Sequence, residues 1–155
     1  MLSWTAIKNA VRYLFLHKWY VFTACAKQGL WWRGLTHDLS KLRPSEFIAY
    51  ARHWNKKTDP KMDPDFQRAW HRHQKRNDHH WQWWVCVTSA GEHVPIPMSA
   101  RARIEMICDW YGAGMRKGDS DIQGWYEKHK DGMLLHPETR EWIERNIRSV
   151  VAQKP

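Results

Sequence analysis

A histidine stands beside an aspartate, with a lysine three residues on, in Thr36-His37-Asp38-Leu39-Ser40-Lys41-Leu42. Adjacent side chains diverge on a regular helix, but at a helix end an imidazole and a carboxylate can face the same ion. Alone, such a pair says little. Here other candidate ligands flank it: His17 upstream, then His73, His79, His80, Glu105 and Asp109 downstream. Imidazole and carboxylate together suit divalent first-row metals, and an ion with open coordination positions can activate water.

The elements that must position these groups can be read from apolar spacing and from start and stop signals. Between Ser3 and Gln28 the residues Ile7, Val11, Leu14, Val21 and Cys25 recur at helical steps, and Gly29 ends the run. His17 falls on the inward side, where a histidine serves either as a hydrogen-bonded core residue or as a ligand. Residues 30–43 read as a short connector, with a turn at Gly34 and Thr36 capping a turn that begins at His37. Pro44 fits the first position of a helix through Trp54, with Phe47, Ile48, Ala51 and Trp54 inward and His53 beside them without an evident partner.

Residues 55–63 are polar and read as a loop, after which Asp63-Pro64 opens the next helix. On that helix Phe66, Ala69, Trp70, His73 and Asn77 share one face and His71 lies on the wetter one, which makes His73 the better-placed ligand. A break between helices would fold His73 and His79-His80 into one pocket. Residues 89–98 read as a loop, and Ser99 caps a helix from Ala100 to Lys117 whose stripe is Ile104, Ile107, Cys108, Tyr111 and Met115. Glu105 and Asp109, four apart along its edge, are either solvated or share a cation, since two neighbouring carboxylates in low dielectric repel. A helix at 121–130 and another opened by His136-Pro137, with Trp142, Ile143, Ile147, Val150 and Val151 inward, complete the chain. No segment alternates convincingly as a strand, so the expected fold is all-α, a helical bundle forming a single domain over 1–155.

The net charge of +9 and pI near 9.7 favour anionic partners. One reading is a phosphate-bearing small molecule. The alternative is a basic module binding nucleic acid or a host protein, although no nucleic-acid motif appears and the basic residues are dispersed. Three cysteines far apart and outside any CxxC pattern argue against a disulfide framework or thiolate zinc site and point to a reducing cytoplasm. Lys8 and Arg12 before an apolar run, with Ala24-Cys25-Ala26 after it, mimic a secretion signal, but His17-Lys18 interrupts the run. No stretch approaches the ~20 apolar residues a membrane span needs. Of the twelve tryptophans, Trp81, Trp83 and Trp84 either pack in the core or wall a pocket that stacks a ring.

In order, His17, His37-Asp38, His73, His79-His80 and Asp109 resemble the ligand series of the HD-domain metal-dependent phosphohydrolase superfamily, whose pattern is H…HD…D on a helical bundle. His37-Asp38-Leu39-Ser40-Lys41 is similar to the HDxxK form of its cyclic-dinucleotide phosphodiesterases, without their glycine-proline signature. The gap from His17 to His37 is short, and that from His73 to His79 is tighter than expected for the interior histidines of the two-metal members. More locally, the stretch from His37 to Phe47, Ile96-Pro97-Met98, Glu105 to Trp110 and His136 to Arg140 resemble a family of uncharacterised phage and bacterial proteins.

The resemblance implies hydrolysis of a nucleotide, cyclic nucleotide or other small phosphate ester, in the cytoplasm of a bacterial or phage-infected cell. One or two divalent ions (Mn, Co, Fe, Ni, Mg or Zn) are implied. His17, His37, Asp38 and Asp109 would hold the first ion, and Asp38 would bridge to a second on His73, His79 and His80. Lys41 would stabilise phosphoryl charge, and Glu105 would orient a ligand histidine or carry a proton. Arg33, Arg43, Trp81 and Arg140 are candidate substrate contacts.

Overall fold

Ser3 starts the first helix by accepting from the Ala6 amide at 3.1 Å. The chain then runs helically from Trp4 to Lys27 (α1), and Gly29 closes it with φ at +70°, a left-handed conformation that costs glycine little. The structure is a computed structural model that describes residues 2–56 and 59–152. It continues through α2 (Trp31–Thr36), a 3-10 turn (Leu39–Leu42), α3 (Pro44–Lys56), α4 (Pro64–Gln74), α5 (Ala100–Lys117), α6 (Ile122–His129) and α7 (Pro137–Ala152). The fold is all-α apart from one small hairpin. Among the described residues no helix is long and apolar enough to cross a membrane.

The inward side of α1 is Ala6, Ala10, Leu14, His17, Val21, Ala24 and Cys25. That corrects the expected stripe at its start, where Ile7 is half-buried and Val11 exposed. Small residues lie on the buried line because α5 approaches closely there. A Cβ added at Gly112 of α5 would stand 2.5 Å from Val21 Cγ2 and 3.1 Å from Val21 N. Gly112→Ala should therefore push the two helices apart and cost about 1–3 kcal/mol, the usual penalty of overpacking. A urea melt measures this, and an unchanged midpoint would contradict so tight a seam.

The main core forms where α1, α5, α6 and α7 meet, around Val21, Ile107, Tyr126, Ile143 and Ile147. Burying these large side chains is the chief source of stability. A second cluster joins α3 to α4 through Ala49, Tyr50 and Ala69, with Trp54, Phe66 and Trp70 against it. The α3 stripe differs from the expected one, for Ile48 is exposed while Glu46, Tyr50 and His53 are buried. Glu46 and Tyr50 turn inward because the buried His73 awaits them. His53 has a partner after all, stacking on Phe66 at 3.9 Å between ring centroids and facing Asp63.

Three connectors also depart from expectation. Residues 30–43 contain α2 and a 3-10 turn. Thr36 does not cap a turn at His37; its hydroxyl donates back to the Trp32 carbonyl at 3.0 Å. Residues 85–95 form an antiparallel hairpin, Val85–Val87 (β1) against His93–Pro95 (β2), with Cys86 opposite Val94. Strands of three residues are too short to show alternation. The loop expected at 55–63 holds a 3-10 turn at Pro60–Met62, and its residues 57 and 58 lie outside the described ones.

Candidate metal centre

Three helices and two turns deliver seven of the predicted residues to one place. His17 comes from α1, His73 from α4 and Asp109 from α5; His37-Asp38 follow α2, and His79-His80 precede a 3-10 turn at Trp81–Trp84. They form two sets, His17, His37, Asp38 and Asp109 on one side and Asp38, His73, His79 and His80 on the other. Within each set the facing nitrogen and oxygen atoms lie within 4.8 Å of one another. Asp38 belongs to both, and its two oxygens divide the work. Oδ2 lies 3.5 Å from His17 Nε2 and 3.4 Å from His37 Nε2, while Oδ1 lies 3.1 Å from His73 Nε2 and 3.5 Å from His79 Nε2. Asp109 Oδ1 closes the first set at 3.0 Å from His17 Nε2 and 3.4 Å from His37 Nε2.

Backbone geometry makes this possible at the His-Asp pair. Asp38 has φ at 57°, in the left-handed region, and no other non-glycine residue among those described does. Such conformations persist only where the surroundings enforce them, and aspartate tolerates them better than most residues. The turn breaks the helical direction between His37 and Asp38, so both side chains enter the interior.

Most of the inward-facing atoms have no hydrogen-bond partner. Nε2 of His17, His37, His73, His79 and His80 is buried without one, and so is Asp38 Oδ1. Buried polar atoms are nearly always satisfied, so convergence of six unsatisfied ones matches the donor set of a cation site. On His37, His79 and His73 the opposite ring nitrogen is held, whereas His17 Nδ1 is also buried without a partner. His37 Nδ1 lies 2.8 Å from Glu105 Oε1 and His79 Nδ1 3.2 Å from the same oxygen. His73 Nδ1 lies 2.8 Å from Ser40 Oγ and 3.1 Å from Glu46 Oε2. Anchoring one nitrogen to a carboxylate fixes ring orientation and presents the other, the usual support around a metal-binding histidine.

Glu46 was not foreseen as part of this support. It is buried, accepts from Ser40 Oγ at 2.9 Å and from Arg76 Nη1 at 2.5 Å, and faces His73. Two residues after Pro44 it reads as an ordinary acid in a helix's first turn, and nothing local marks it as interior. Asn77 adds to the arrangement by donating to Ser40 Oγ at 2.9 Å and to the His73 carbonyl at 2.7 Å. Trp70 stacks on His73 and meets His80 edge-on.

Electrostatics hold the carboxylates ionised. Burial would raise the Asp38 carboxyl, but the His37 imidazole and Lys41 ammonium outweigh it and keep the group well below its ordinary range. Asp109 is likewise held well below by His17 and His37 despite its burial. Burial disfavours charge on His37, yet Asp38, Asp109 and Glu105 bring its pKa up to about 10. Burial and the neighbouring His79 push His80 well below the ordinary histidine value.

The remaining predicted residues separate into near and remote. Lys41 is at the centre, with Nζ donating to Asp38 Oδ2 at 2.5 Å. Glu105 touches His37 and His79, and its carboxylate makes with them a third group of potential ligand atoms. Arg33 donates to both Glu105 and Asp78, so its charge is already taken up. The structure does not bring Arg43, Arg140 or Trp81 into the two sets. Arg43 is on the surface. Arg140 binds the carbonyls of Lys130 and Met133, the latter at 2.7 Å, and secures the turn before α7. Trp81 and Trp84 pack against the main core, and Trp84 Nε1 donates to the Asp78 carbonyl at 2.7 Å.

Fold and site together define an all-α protein with a buried histidine–carboxylate centre built around one shared aspartate. The chain belongs to the family of unknown function DUF5662, whose pattern it matches over residues 6–149. No curated protein and no solved structure matches it.

Proposed function

We propose that this protein is a metal-dependent phosphohydrolase that cleaves a small phosphate ester with water. The supporting observation is the division of Asp38, each of whose oxygens faces a different set of imidazoles. In this reading His17, His37, Asp38 and Asp109 hold one divalent ion, and Asp38, His73, His79 and His80 hold a second. Nitrogen and oxygen donors without thiolate suit Mn, Fe, Co, Ni or Zn, with Mg accommodated less readily by so many imidazoles. When bound, such ions supply Lewis acidity and lower the pKa of water. The order of ligands resembles that of HD-domain phosphohydrolases, and the free cysteines fit a cytoplasmic protein.

The chain's own residues then have distinct tasks. Glu105 and Glu46 aim the imidazoles, and Lys41 fixes one oxygen of Asp38 while placing a positive charge beside the phosphoryl group. Elemental analysis of the purified protein, then assay of phosphate esters with Mn²⁺ or Co²⁺ and with chelator, tests the proposal. Metal in the protein and turnover abolished by chelator are expected; metal-independent turnover would defeat it. Glu105→Gln should keep the fold but weaken metal binding about 10- to 100-fold, the usual cost of losing such a carboxylate partner. Competition with a chromophoric chelator reads this, and unchanged affinity would remove Glu105 from the support.

A further inference from the structure

The outward side of α1 carries Val11, Phe15 and Trp19 at four-residue steps, and Leu39 and Leu42 of the 3-10 turn stand nearby. All five are 46–69 % exposed. Single exposed apolar residues are ordinary, but a contiguous set marks a place where something binds. Here four of the five, Val11, Phe15, Leu39 and Leu42, wall with Leu14 a cavity of about 220 Å³, and its lining includes His17 and Asp38. An apolar groove thus leads to two of the proposed metal ligands. Lys18, the one cation in its lining among the described residues, donates to the Leu35 and His37 carbonyls at 2.6 and 2.8 Å. Among the described residues no amide or hydroxyl side chain lines the groove.

We propose that this groove takes the organic part of the substrate, and that this part is hydrocarbon. The substrate is then an apolar organophosphate, in its simplest form an alkyl phosphate, whose phosphoryl group reaches His17 and Asp38. A nucleobase in the groove would surrender its hydrogen bonds to water and find no replacement, whereas an alkyl chain loses nothing polar. A second copy of the chain laid over this face would close the approach to Asp38. The assignment rests on the phosphohydrolase reading and adds which esters it accepts. Hydrolysis forms a bond from water oxygen to phosphorus, breaks the bond from phosphorus to the alkoxy oxygen and passes a water proton to that oxygen. The products are inorganic phosphate and an apolar alcohol.

Phosphonates, which cannot be hydrolysed, test the groove apart from turnover. Calorimetry on Mn²⁺-loaded protein should show hexylphosphonate binding about 10-fold or more tighter than methylphosphonate, as expected for burying several methylenes. Adenosine monophosphate should gain no such advantage. Val11→Asn with Leu42→Asn, both at exposed positions, should remove the preference for the longer chain while metal content is unchanged.

Equal affinities, a preference kept by the double variant, or one kept without metal would overturn the proposal. So would light scattering that finds a dimer broken by the same substitutions, which would make this face a contact between copies. Chain-length preference without hydrolysis of any ester would defeat the phosphohydrolase reading but leave the apolar groove for phosphoryl ligands standing. Protein that takes up no metal overturns both.

Discussion

Asp38→Asn should empty both ligand sets at once, leaving near-zero metal and lowering ester hydrolysis by about 10³-fold, the scale of losing a group that organises transition-state charge. Asparagine retains the shape of the side chain and tolerates left-handed backbone, so the turn at φ 57° is kept. What disappears is the charge, and the amide nitrogen places a donor against one row of imidazole nitrogens. His17→Ala, by contrast, touches the first set only. Asp38→Asn also strands Lys41, whose ammonium has Asp38 as its buried partner at 2.5 Å, and breaking a buried pair costs about 3–5 kcal/mol. Adding Lys41→Met to the same chain relieves that penalty and separates lost stability from lost metal. An asparagine variant with undiminished metal and turnover would end the bridging role.

Metal removal should be nearly as consequential for stability. An ion at one hundred times its dissociation constant stabilises by about 2.7 kcal/mol, which for a chain of this length is a shift of about 5–10 °C in melting temperature. Chelated protein should therefore melt lower by that margin and recover on adding Mn²⁺ or Zn²⁺, but not on adding monovalent salt of equal ionic strength. Differential scanning calorimetry reads this directly. A melting temperature indifferent to both treatments would show that the imidazoles are satisfied without an ion.

The helix starts were legible because each is a local event: Ser3, Asp63-Pro64, Ser99 and Asp121 announce their helices through side chains that bond amides three residues on. The convergence of histidines and carboxylates was legible too, since seven of the predicted residues come together. Glu46 was not, because its burial depends on His73 of α4 and Arg76 just beyond that helix, about thirty residues later. The stripes of α1 and α3 were misplaced for a related reason. A search for large apolar residues passes over alanine, and α1 packs through Ala6 and Ala10, while α3 turns a carboxylate and a histidine inward. The segment around Trp31 and Gly34 read as a connector, yet it coils into a short helix where Gly34 lets it press on Cys25 and Phe22.

The seam between α1 and α5 has one more implication. His17 and Asp109 stand 3.0 Å apart because the backbones carrying them are drawn together where Gly112 meets Val21 and the His17 carbonyl. The calibre of the centre is thus set by residues that never face it. A methyl group one helical turn away would widen the aperture, so in the proposed metal centre the scaffold would tune which ionic radius is accepted as much as the side chains that face it.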